Sequence, residues 1–229
     1  MSEAFFTSAT VTFLRELAQN NDRDWFAANK QRYERDVLDP ALAFIGALQG
    51  PLGEIAPAFQ AVPKRVGGSL MRVYRDTRFS RNKAPYKTNV GIQCRHVGGK
   101  DVHAPGFYLH IEPDSVFVGC GAWHPAAVML SAIRTAIVER TDEWHAIVHA
   151  PAFTATFELA GDSLKRAPRG FDNDHPAIND LRRKDFIAVA DFAPADALGS
   201  DFLDLVVERF RCGQSFMRFL CEANDLSYE

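Results

Sequence analysis

Arginine is concentrated in one short stretch of this chain. Between Lys64 and Arg95 stand nine basic residues, Lys64, Arg65, Arg72, Arg75, Arg78, Arg81, Lys83, Lys87 and Arg95, and a single acid, Asp76. The window is therefore +8 and the rest of the 229-residue chain −11, against an overall −3. A guanidinium group binds carboxylate or phosphate oxygens in bidentate pairs, which an ammonium cannot do. Arg72, Arg75, Arg78, Lys83 and Lys87 are accordingly the candidate anion-binding residues, with Tyr86 at their border. Tyr74, Phe79 and Tyr86 are interleaved with the charges and offer faces on which a base or ring can stack. Asp76, kept ionised by its arginine neighbours, and the pair His110 and Glu112 are the candidate catalytic residues. An H-x-E pair on one strand face supplies either two metal ligands or a base with the group that orients it. The reaction class such a set would serve is phosphoryl or phosphodiester chemistry.

The same residues have plainer readings. All but one of the 29 acidic residues lie outside the window, so the arginines can pair internally and tie a loop down. Exposed pairs of that kind contribute little stability. Asp76 then serves as a loop anchor. A metal at His110 and Glu112 would need a third ligand, and His96 or His124 qualifies only if the sheet order brings it near; no metal site and no cofactor are assigned from the sequence. Lys165, Arg166 and Arg169 form either a second wall of the anion pocket or a solvent loop. No serine elbow, P-loop, dinucleotide glycine fingerprint or zinc-protease motif is present.

These side chains need elements to position them. Ser69 to Arg75 reads as a strand and residues 76–87, with Pro85, as a loop. On an extended 69–75, Arg72 and Tyr74 share one face and Val73 and Arg75 the other, so the arginines converge only if the chain bends at Asp76. Thr88 to Val97 predicts a strand. Gly106 to Glu112 and Ser115 to Gly121 predict a hairpin turned at Pro113-Asp114, with Tyr108, His110 and Glu112 on one face and Leu109 and Ile111 toward the core. Ahead of them the chain is helical: residues 8–20, a second helix capped by Asp22 and running to Leu38, and a third from Asp39-Pro40 that Gly50-Pro51 stops. Beyond them come a helix from Pro125 to Arg140, a short one capped by Thr141, strands at 156–159 and 186–190, a short helix capped by Asp174, and a long amphipathic segment capped by Ser200 and broken at Gly213. The pattern predicts one α+β domain: a central antiparallel sheet with helices packed over it, a helical N-terminal quarter and a helical C-terminus.

Composition narrows the class. With 47% hydrophobic, 24% charged and 11% aromatic residues the chain can bury a sizeable core and is not disordered. The 19-residue uncharged run from Ser115 to Ile133 is punctuated by Gly119, Gly121 and His124-Pro125, so it reads as strand, turn and helix rather than a membrane span. The four cysteines form no C-x-x-C pair, and the start, MSEAFFTSAT, has no basic n-region; reduced thiols in a cytoplasm are the expectation.

In full the motif reads RVYRDTRFSRNKAPYKTNVG. Arg72, Arg75-Asp76, Arg78-Phe79, Lys83 and Pro85-Tyr86 fill R-x-x-R-D-x-R-F-x-x-x-K-x-P-Y at every fixed position. This resembles the signature of a bacterial family of domains of unknown function, number 2461. FFTSATVTFLRELAQNNDRDWF, GFYLHIEP and KRAPRGFDNDHPAI are similar to that family as well. The resemblance implies a single family domain over nearly the whole chain and transfers no catalytic residue. Three functions stay open on the residues themselves. The first is binding of a phosphate-bearing or other anionic small molecule. The second is a nucleic-acid module without catalysis, which the net charge disfavours. The third is an interaction domain whose arginine motif is structural.

Overall fold

The computed structural model describes residues 4–99 and 103–229. Its N-terminal part is helical because apolar residues recur at helix spacing and good caps start each run. Thr7 accepts from the Ala9 N–H while the Thr10 hydroxyl takes the Thr7 N–H, a capping box for α1 (Ser8–Gln19), which buries Phe13, Leu14 and Leu17. Asp22 caps α2 (Arg23–Ala28) by accepting from the Trp25 N–H. The expected single helix to Leu38 is instead α2, α3 (Lys30–Tyr33) and a π-helical turn (Glu34–Leu38) that runs without a break into α4 (Asp39–Ile55). Asp39 is therefore helical, at φ −66°, and caps nothing.

α4 also passes through Gly50-Pro51, where a stop was expected. A proline inside a helix costs about 3 kcal/mol. Leu48, Leu52 and Ile55 are buried on the continuing helix, and burying two such side chains beyond the proline returns about 3–6 kcal/mol. Burial wins over the local stop signal.

The sheet has six strands: β1 (Phe59–Gln60), β2 (Val90–His96), β3 (Gly106–Glu112), β4 (Ser115–Ala122), β5 (Glu158–Ala160) and β6 (Phe186–Phe192). They lie in the order β1-β2-β3-β4-β6-β5 and pair antiparallel throughout. The predicted hairpin is β3–β4, with Glu112 opposite Ser115. Alternation along the strands sorts the side chains onto two faces. One face, with Ile92, Cys94, Phe107, Leu109, Val118, Cys120, Phe186 and Ala188, is buried and meets α4, α9 (Phe202–Cys212) and α10 (Gln214–Glu222). The opposite face carries Gly91, Gln93, Tyr108, His110, Glu112, Phe117, Gly119, Val189 and Ile187, and it is only partly covered.

Ser69 to Arg75 is not a strand. Only Leu70 and Tyr74 make single bridges, to Ile92 and Tyr86. The segment runs beside β2 as a ragged ribbon, with Met71 N–H on Gly91 O, Lys87 N–H on Val73 O and Arg75 N–H on Pro85 O. Pro85 has no N–H to return, which interrupts the ladder.

The remaining helices are α5 (Ala127–Glu139), α6 (Thr141–Val148), α7 (Pro151–Thr154) and α8 (Ile178–Leu181). Three expected caps are absent. Thr141 donates to the Ile137 and Val138 carbonyls, the Ala177 N–H before α8 bonds His175 Nδ1 rather than Asp174, and Asp201 rather than Ser200 precedes α9. Gly213 does separate α9 from α10. Residues 115–133 form β4, a turn and part of α5; no helix among the described residues is long and apolar enough to cross a membrane.

Candidate functional site

The arginine motif does not converge. The Asp76 carboxylate takes the backbone N–H and the guanidinium of Arg78, at 3.2 and 2.7 Å, which holds its carboxyl down at about 2. Both side chains are exposed. Lys83 donates to the Thr77 carbonyl at 2.9 Å and Arg75 to the Ala84 carbonyl at 3.2 Å. These four groups thus tie the 76–84 loop to itself. Tyr86 does not stand open beside these charges. It is buried, stacked on Phe26 at 4.0 Å and 18°, and its backbone is held by both ends of the Asn21 side-chain amide.

Lys87 and Arg72 differ from the rest. Lys87 is half-buried, and no carboxylate pairs with it or with Arg72 among the described residues. Burial, reinforced by the nearby Arg72 charge, pushes the Lys87 ammonium below its usual range.

Lys87 lines a cleft of about 530 Å³ on the open face of the sheet. The strand register builds it. β3 contributes Gly106, Tyr108 and His110, β4 contributes Phe117, Gly119 and Gly121, β6 contributes Ile187 and Val189, and Met71, Asn89 and Trp123 close its sides. The glycines leave a bare floor where side chains would otherwise fill the space. Gly119 has room for a side chain: a Cβ there would meet only the Ala188 carbonyl oxygen, at 3.7 Å.

At the cleft the sequence-predicted pair is joined: His110 lines it, and Glu112, outside its lining, contacts His110. His110 Nε2 lies 3.4 Å from Glu112 Oε2, and Thr88 holds the other Glu112 oxygen at 3.1 Å. His110 Nδ1 faces the Tyr108 hydroxyl at 3.1 Å and the Asn89 amide nitrogen at 3.3 Å. Asn89 can only donate through that nitrogen, so Nδ1 is the acceptor and the proton sits on Nε2, toward Glu112. The ring stacks on Phe117 at 4.6 Å and 11°. Burial lowers the His110 pKa and Glu112 opposes that in part, while burial pushes Tyr108 up to about 12. Burial thus favours the uncharged forms of both the Tyr108 hydroxyl and the imidazole that stand in line with Glu112.

Among the described residues no third ligand joins this pair. His96 lies on the buried face, against Phe59 and the Ser227 carbonyl, and His124 pairs with Asp185. No group of three His, Cys, Asp or Glu side chains able to hold a metal occurs among the described residues. Cys120 also borders the cleft, but burial pushes its thiol up and away from reactivity. Lys165, Arg166 and Arg169 are not part of the cleft wall.

Of the residues singled out in the sequence, the structure brings Lys87 and His110 to this cleft, with Glu112 against His110, and it adds Asn89, Trp123, Phe117 and the glycine floor. The signal for the floor was present as Gly106, Gly119 and Gly121 in strand runs that otherwise alternate, a spacing that leaves one face bare.

Fold and site together define an α+β domain with a concave, glycine-floored cleft on the open face of an antiparallel sheet. The chain belongs to the family described as conserved hypothetical protein (DUF2461), whose model matches residues 9–219. No curated protein and no solved structure matches it.

Proposed function

We propose that the protein binds a phosphate-bearing or other anionic small molecule in the open-face cleft. Lys87, with Arg72 beside it, holds the anion, and the apolar part of the ligand lies along Phe117, Val189 and Trp123. The observation that carries this reading is the meeting, at one cleft, of a partly desolvated cation that no carboxylate pairs with among the described residues and a hydrogen-bonded chain from Tyr108 through His110 to Glu112. A half-buried cation that no described carboxylate neutralises is costly to keep, and an anionic ligand relieves that cost. Phosphoryl or phosphodiester chemistry by proton transfer is the reaction class that fits. The Tyr108 oxygen takes a proton from the attacking hydroxyl or water as its own passes to His110 Nδ1; the attacking oxygen bonds to phosphorus, the P–O bond to the leaving group breaks with its electron pair going to that oxygen, and the imidazolium, steadied by Glu112, gives up its proton to the departing oxygen or to solvent. Asp76, engaged by Arg78 away from the cleft, anchors its loop in this reading. The four cysteines are free, three of them buried, which supports a reducing, cytoplasmic setting.

One observation favours a second reading, a nucleic-acid contact. Phe79 is 95% exposed on the cationic loop, with the Arg78 guanidinium 5.8 Å from its ring centre, and an exposed aromatic among arginines can stack on a base.

Thermal unfolding against sugar phosphates, nucleotides, p-nitrophenyl phosphate and short oligonucleotides separates the readings. A cleft ligand at about 100 times its Kd raises the melting temperature of wild type by about 5–10 °C. Gly119→Val, whose side chain occupies the cleft floor, abolishes that shift and Phe79→Ala preserves it. If Phe79→Ala loses the response and Gly119→Val keeps it, the loop reading replaces the cleft reading.

A further inference from the structure

Beyond the Trp123 end of the cleft the chain builds a second imidazole–carboxylate pair, which the proposed function does not use. Asp185 is 1% exposed at the entry to β6. Its carboxylate accepts the His124 N–H at 2.7 Å and the Asp162 N–H at 3.0 Å, and His124 Nδ1 lies 3.0 Å from the same carboxylate. Nδ1 is thus the ring nitrogen turned toward the acid, and Nε2 is turned away from it. The His124 side chain is about half exposed, and Nε2 has no hydrogen-bond partner among the described residues.

Backbone strain is spent on this arrangement. His124 has φ 47°, a left-handed conformation uncommon for residues other than glycine. Gly161 has φ 96°, and a Cβ there would lie 2.5 Å from the Asp185 Cβ, so only glycine lets the chain pass the acid. Strain of this kind persists where surrounding structure over-determines it and clusters at functional sites. The His124 ring packs on Trp123 at 4.3 Å, and Trp123 is 52% exposed while lining the cleft.

We propose that His124, oriented by Asp185, is a second general base, which activates water or a substrate hydroxyl beside an aromatic group resting on Trp123. Trp123 lies six positions along β4 and its extension from Phe117, the residue stacked on His110, or about 20 Å of extended chain. The two imidazoles thus serve opposite ends of an elongated ligand or two separate steps, and this centre stands without the anion site. Its substrate class is an aromatic ester or a related aryl-bearing acyl compound. In the step, a water oxygen forms a bond to the acyl carbon as its proton passes to Nε2. The acyl–oxygen bond breaks, its electron pair leaves with the aryl oxide, and Nε2 returns the proton to solvent.

p-Nitrophenyl acetate is the probe. His124→Asn removes the imidazole and retains the backbone, because asparagine tolerates the left-handed conformation. Wild type hydrolyses the ester at least about tenfold faster than His124→Asn or Asp185→Asn, whereas His149→Gln, which removes an exposed imidazole with no carboxylate partner, leaves the rate unchanged. Should Asp185→Asn fail to fold, diethyl pyrocarbonate labelling of wild type reads the same property, and His124 is modified faster than His149. A His124→Asn protein that melts and hydrolyses as wild type does, or a His124 labelled no faster than His149, overturns the proposal and leaves the pair as a clamp on the β4–α5 turn.

Discussion

Lys87 and His110 carry opposite costs of being in the same cleft. The Lys87 ammonium is partly desolvated beside Arg72, with no carboxylate partner among the described residues, so its charge is retained at the expense of stability. Lys87→Met, of similar length and apolar, is predicted to melt at or above the wild-type temperature while its affinity for an anionic ligand falls at least about tenfold. Parallel melting and phosphate-ligand titrations check both halves; a variant that melts earlier and binds as before would make Lys87 structural. His110 is held neutral by burial, so its folded pKa lies below 6.5, the unfolded value. In that interval the unfolded chain binds the proton more readily, and stability rises with pH. Acidification from about 7.5 through 6.5 and below therefore destabilises wild type more than His110→Gln, and urea unfolding of the two proteins across that range shows the slopes diverging.

Elements decide which of these residues can meet. The β3–β4 hairpin was legible in the sequence because GFYLHIE and SVFVGCG alternate and Pro113-Asp114 turns between them; that alone placed Tyr108, His110 and Glu112 on one face. The 72–87 motif was not legible as a site. Its charges suggested convergence on a ligand, but its local hydrogen bonds are satisfied within the loop, and two of its fixed positions serve packing and backbone pairing. Tyr86 shows this most clearly: a residue read as the border of an anion site is instead a stacking partner for Phe26 and an anchor point for Asn21, 65 positions away. Tyr86→Ala is predicted to cost about 3–5 kcal/mol, measured by chemical denaturation. Tyr86→Phe keeps the ring and costs far less. Arg78→Ala, which removes an exposed pair with Asp76, leaves the melting temperature within error of wild type.

At the scale of the whole molecule the antiparallel order is what creates a site. Helices cover one face of the sheet, and the β3–β4 hairpin and β6, distant from it in sequence, bring glycines and apolar residues into register on the other. Fold class was readable from alternation and caps, which are local. The cleft was not, since no local pattern says that Val189 faces Gly119 or that Asn89 reaches His110. The segregated charge retains a meaning in this arrangement: Lys87 and Arg72 lie where the basic window enters the sheet, while Arg75, Arg78 and Lys83 close a loop beyond it. The central claim is that an anionic ligand sits on the glycine floor and not on the arginine loop. Titration of the isotope-labelled protein with p-nitrophenyl phosphate, followed by amide chemical shifts, tests it most directly. Saturable shifts centred on Asn89, Gly106, Gly119 and Gly121, absent in Gly119→Val, are the predicted result; shifts confined to residues 76–84 would contradict the account and return the site to the arginine loop.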